Sequence, residues 1–242
     1  MKKVILPLFL LSSVAGFAQD TGGGGLFKKA SGLLNKAKGG SLSNDDIVAG
    51  LKEALSVGAT NGANKLSAVD GFFANAAIKV LLPPEAQKVE KTLRAAGMGK
   101  LVDDAILSMN RAAEDASKSA APIFLDAVKT MSFQDALGIL KGSDTAATGY
   151  LRGKTVPALT AAFRPVIEGA LEKTGATRHW KTVFETYNKL PTSFNKVNPD
   201  LSGYVTEKAL GGMFFQVAQE EQKIRKDPAA RVTETLKKVF GS

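Results

Sequence analysis

Nowhere in the 242 residues is there a cysteine. Disulfides, thiolate nucleophiles and cysteine-bound metals are therefore excluded, and so is acylation at a lipobox. Histidine is nearly as scarce, with His179 standing alone. A single imidazole cannot build the usual multi-histidine metal site. Tryptophan also occurs once, at Trp180. No segment alternates apolar and polar residues over a strand's length, and no strand–helix–strand rhythm appears. Beyond the first residues there is no long apolar run without charges, so no further membrane span is expected.

What is present begins with Met1-Lys2-Lys3 followed by VILPLFLLSSVAGFA. A short basic stretch, an apolar run and small residues at Gly16 and Ala18 make residues 1–18 a secretory signal peptide by pattern. The expected mature protein is periplasmic or secreted, and soluble. The net charge of +9 becomes +7 once Lys2 and Lys3 are removed. Acids are interleaved with the bases, as in DDAILSMNRAAED. That pattern fits a solvated mixed surface, or contact with anionic headgroups. No basic-aromatic nucleic-acid signature is present.

Residues 19–42 are glycine-rich and basic. Leu26, Phe27, Leu33 and Leu34 are spaced among lysines, which fits either a tether or a weak membrane-surface helix. Residues 43–242 read as one all-α domain of about eight helices. Ser43 and Asp46 have capping-box spacing before NDDIVAGLKEAL. Asp70-Gly71 predicts a turn. The stretch near 76–82, ending in two prolines, is the single candidate for extended structure, as a short strand or a packed loop. After Pro84 the spacing predicts helices throughout. One stops at Gly97, and the next carries Leu101, Ala105, Ile106, Met109 and Ala113 on one face. Pro122 falls in the first turn of another. Ser132 and Asp135 form a capping box before FQDALGILK, with Gly142 at the end. Asp200 and Asp227 are further caps.

TGYLRGKT at 148–155 ends like a phosphate-binding loop. Counting back from Gly153, the required glycine position is Thr148, so the spacing is one residue short. The flanks read as helix, with Asp144 set to cap it and Tyr150, Leu151, Leu159, Phe163 and Val166 continuing an apolar face. Gly-Lys-Thr here is a coincidence within a helix.

Two polar groups stand out as candidate ligand-binding residues. Asn110, Arg111 and Glu114 lie on one helix at spacings that bring Arg111 to Glu114. Near the end of the chain, Arg225 and Arg231 flank Asp227, beside Glu220 and Glu221. With Tyr150 these make the set Asn110, Arg111, Glu114, Tyr150, Arg225 and Arg231. Each arginine also fits a plain interhelical ion pair. No metal, cofactor or assembled catalytic set is expected. Phenylalanines at 72, 73, 124, 133, 163, 184, 194, 214 and 215 supply a core or the lining of an apolar cavity.

The series LKEAL, DGFF, MNRAAE, PIF, YNKLP, YVTEKAL and EEQKIRKDPAARVTETLKKVF resembles an uncharacterised exported bacterial family, domain of unknown function 4197, from about Ser41 to Gly241. The resemblance implies a single exported domain. It carries no activity, and the lipobox cysteine of anchored members is absent here. Three functions stay open: an envelope module binding an apolar or lipid-like ligand, a structural or protein-interaction module, and a hydrolase around Asn110, Arg111 and Glu114. In the last, Arg111, Glu114, Tyr150, Arg225 and Arg231 would converge in one pocket.

Overall fold

The computed structural model of the chain describes residues 43–177, 180–181 and 200–227. These include seven α-helices that are described whole, helical residues at 176–177 and 180–181, and one 3-10 turn, and no strand. The all-α expectation holds. The helices are α1 (Asn44–Ser67), α2 (Gln87–Ala95), α3 (Gly99–Ser117), α4 (Ala120–Lys129), α5 (Phe133–Lys141), α6 (Ala146–Lys173) and α7 (Leu201–Lys226), with the 3-10 turn at Pro84–Ala86 between α1 and α2. Residues 1–42, His179, Phe184, Phe194, Pro228 and Arg231 lie outside the described residues. So does the Asp46 side chain, on which the first capping box depends.

α6 and α7 pack along each other, and α3 lies against α6. α1 covers α7 and α4. Phe72, Phe124, Phe163 and Phe214 are fully buried at the centre. Phe124 and Phe214 meet edge-on, with ring centroids 5.9 Å apart, the favoured geometry for two quadrupolar rings. Trp180 is buried in the same core. Phe133 and Phe215 are exposed instead.

The local signals work as chemistry dictates. Ser132 Oγ accepts the Asp135 N–H while Asp135 accepts the Ser132 N–H, so the capping box is complete. Asp200 accepts the Gly203 N–H at the start of α7. Residues 76–82 form a packed loop, and Pro83 and Pro84 lead into the 3-10 turn. Pro157 and Pro165 lie inside α6 without ending it. Both are on the solvent face, as are residues 153 and 161, whose carbonyls lose a partner to them. Water can take those bonds, so the usual cost of an internal proline is softened.

Two expectations fail. Asp144 does not cap α6. Its N-cap is Thr145, without a side-chain bond, and Asp144 pairs with Lys226 at 2.6 Å. Leu101 is not in the core; Val102 takes that place, and Leu101 is exposed.

Candidate functional site

The loop between α1 and the 3-10 turn is held by α3. Asn110 is fully buried, and its side-chain oxygen accepts the Val80 N–H at 2.8 Å. Its amide nitrogen donates to Val80 O at 2.8 Å and to Ile106 O at 2.7 Å. The asparagine thus pairs with one loop residue as a strand neighbour would. One turn on, Glu114 Oε1 accepts both the Phe72 and the Phe73 N–H groups at 3.1 Å. Its other oxygen receives Arg111 Nη1 at 2.6 Å, and Arg111 Nη2 reaches Asp70 at 2.7 Å. Asp70 has φ of +68°, a left-handed conformation that aspartate tolerates better than most residues. Phe72 then enters the core over Gly212. A Cβ there would stand 2.5 Å from the Phe72 ring, so only glycine permits the approach.

A second carboxylate does similar work on α7. Glu221 accepts the Ala147 and Thr148 N–H groups at 3.0 and 2.9 Å, and the Thr148 hydroxyl at 2.8 Å. Arg225 Nε donates to Glu221 at 3.0 Å, and Arg225 Nη2 to Ile139 O at 2.8 Å. Here the letters Gly-Lys-Thr find their answer. They lie about two turns inside α6, where backbone N–H groups belong to the helix ladder, and the first-turn N–H groups of Ala147 and Thr148 are filled by the protein's own carboxylate.

The six candidate residues do not form one site. Asn110, Arg111 and Glu114 come together beyond the C-terminal end of α1. Arg225 sits with Glu221 against the N-terminal half of that helix, where both line a small void with Leu51 and Gly58. At 1.5 Å per residue the two clusters are roughly 20 Å apart. Tyr150 lies on the opposite side of α6 from Thr148, its hydroxyl 3.5 Å from Ala127 O. Arg231 is outside the described residues. Among the described residues no group of three metal-ligating side chains gathers, and no helix is long and apolar enough to cross a membrane.

An apolar concave feature lies elsewhere. A pocket of about 560 Å³ opens between α2 and the first half of α3. α2 contributes Val89 and Leu93, with Leu82 and Ala86 just before it. α3 contributes Leu101, Val102, Ala105 and Met109, and Trp180 and Leu201 close the far side. No residue of α2 described is fully buried; Val89 and Leu93 are half-buried, packed against the edge of the core and lining the pocket. That volume is within the range of small-molecule sites, about 300–1,000 Å³. Polar groups in the wall are few: Glu90, Asp104, Ser108 and Thr174.

The family model described as a protein of unknown function, DUF4197, matches residues 41–241. The chain belongs to the DUF4197 family. No curated protein and no solved structure matches it. The matched span takes in every described residue, so the pocket and both carboxylate clusters lie within the DUF4197 domain.

Sequence reasoning missed the pocket because its wall reads as ordinary amphipathic helix. One cue was available. Leu101 and Val102 are adjacent, so a single helix face cannot bury both. The leucine left over lines the opening.

Proposed function

We propose that this DUF4197 chain is an exported cell-envelope module that binds an apolar or amphiphilic ligand in the pocket between α2 and α3. The observation that carries this reading is the wall itself: a space of about 560 Å³ whose lining is overwhelmingly hydrocarbon. An open apolar space of that size costs hydrophobic free energy unless something fills it. Export rests on the signal-peptide pattern of residues 1–18.

The test is native mass spectrometry on protein recovered from the periplasm, followed by titration with lipids. Adducts that disappear in Ala105→Phe, which fills the wall, support the pocket. Absence of any co-purifying apolar molecule, together with no binding in titration, removes the ligand reading. Protein found only in the cytosol removes the export reading.

A structural or protein-interaction role is the second reading. It is favoured by exposed Leu81, Met98 and Leu101, three large apolar side chains in or beside the segments that border the pocket. In-cell crosslinking that captures a defined partner through this face, with no lipid bound, selects it.

A further inference from the structure

The polar groups of the pocket wall share one property. Ser108 Oγ gives its proton to Ala105 O at 2.9 Å, and Thr174 Oγ1 gives its proton to Leu171 O at 2.8 Å. A hydroxyl has one proton, so both now present only lone pairs. Glu90 and Asp104 are carboxylates and accept only. Apart from the Trp180 indole, the polar side chains of the wall are therefore acceptors, and no lysine or arginine is among the described lining residues.

The charges at the opening point the same way. Arg94 Nε holds one oxygen of Glu90 at 2.9 Å, and Arg94 Nη2 holds Asp103 at 2.8 Å. Lys100 holds one oxygen of Asp104 at 2.6 Å. Glu90 and Asp104 are the charged side chains among the described lining residues, and each holds its cation through one oxygen. On a chain of net charge +9, the described lining itself thus carries carboxylates and no cation.

Resting on the reading of the pocket as a ligand site, we infer that its ligand is an amphiphile with a hydrogen-bond-donating, uncharged or cationic head, an alcohol or amine, and that carboxylate and phosphate heads are rejected. An anionic head would meet lone pairs and like charge. A donor head finds Ser108 and Thr174 within the wall and the second oxygens of Glu90 and Asp104 at the rim.

Dodecylamine and dodecanoate below their micelle concentrations, and dodecanol below its solubility limit, separate the head from the chain. Trp180 is the only tryptophan and lies in the wall, so its fluorescence reports occupancy, with calorimetry as a second readout. The amine should bind the full-length protein at least about tenfold more tightly than dodecanoate, with the alcohol between them. In Glu90→Gln/Asp104→Asn the gap should shrink to about threefold or less. Added salt should erode the amine's advantage and leave the alcohol unmoved. Dodecanoate binding as tightly as dodecylamine overturns the head inference and leaves the pocket reading standing. So does a tenfold gap that survives in the double variant. If none of the three binds by either readout, both fall.

Discussion

Glu114 and Glu221 each accept two consecutive backbone N–H groups, and each sits beside an arginine of its own helix. Their surroundings differ. Glu221 caps the N-terminus of α6, so the helix dipole adds to its hydrogen bonds. Its arginine continues to Ile139 O in the last turn of α5, the end where a cation belongs. One ion pair thus joins the positive end of one helix to the negative end of another. The N–H groups held by Glu114 belong to a turn, with no aligned dipole behind them. The arginine side chains show the contrast: Arg225 is 12% exposed and Arg111 39%, while both glutamates are at 5%. The first pair is enclosed framework. The second is a clasp on the loop that leads to the pocket, half open to water.

The largest expected effect is therefore Glu221→Ala. It strands two helix N–H groups, the Thr148 hydroxyl and a mostly enclosed guanidinium. Loss of one partner from a buried pair costs about 3–5 kcal/mol. Urea unfolding should show a lower midpoint at unchanged slope, the shift times the slope giving a loss of that order. Glu114→Ala should cost less, about 1–3 kcal/mol, because Arg111 keeps Asp70 and water. Its signature should be local: faster amide exchange over residues 72–82, with α6 protected as before. Equal losses in the two variants would break the comparison.

This contrast was only half legible in the sequence. Arg111 and Glu114 are neighbours on one helix, so their pairing follows from spacing, and the capping box at Ser132 is equally local. The partners of Glu114 are 41 and 42 residues away. Those of Glu221 are 73 and 74 residues away. No periodicity points across such distances. Asp144 read as the cap of α6 because it is nearest in the chain, whereas the true acceptor comes from α7. In the sequence Asn110 is a polar candidate because it adjoins Arg111 and Glu114 on one helix. That polarity serves Val80, whose unpaired N–H and C=O were invisible until the loop was placed. The pocket shows the same limit: period and composition mark which residues are apolar, and only packing decides which of them leave a space.

A smaller effect sharpens the framework side. Gly58 lies within α1 and, with Glu221 and Arg225, lines a void of about 20 Å³. A Cβ added there would meet Glu220 Cβ and Ile224 Cδ1 at 3.6 Å, ordinary contact distance. Gly58→Ala should stabilise the protein by about 1 kcal/mol through helix propensity alone, with a little more from the filled void. A gain measured by urea unfolding means the enclosure around Glu221 tolerates closer packing. A loss means that the glycine is needed for the approach of α1 to α7.

The smallest effect at neutral pH belongs to the loop side, and it is read best in alkali. Tyr204 on α7 donates its hydroxyl to Leu81 O at 2.8 Å, next in chain to Asn110's partner Val80. Burial, followed by the nearby Glu207 and Glu85 carboxylates, pushes its pKa from 10.0 up to about 12. The folded state therefore favours the neutral phenol. Its contribution is fully present below pH 10 and is lost as the pH rises through 12. Tyr204→Phe should lose about 0.5 kcal/mol at pH 7, one partly exposed hydrogen bond. It should also decline less steeply than the parent between pH 10 and 12 when unfolding free energies are compared. Parallel decline of the two proteins would mean that Tyr204 ionises as freely in the fold as in the open chain. The loop would then be fastened at Glu114 and Asn110 alone.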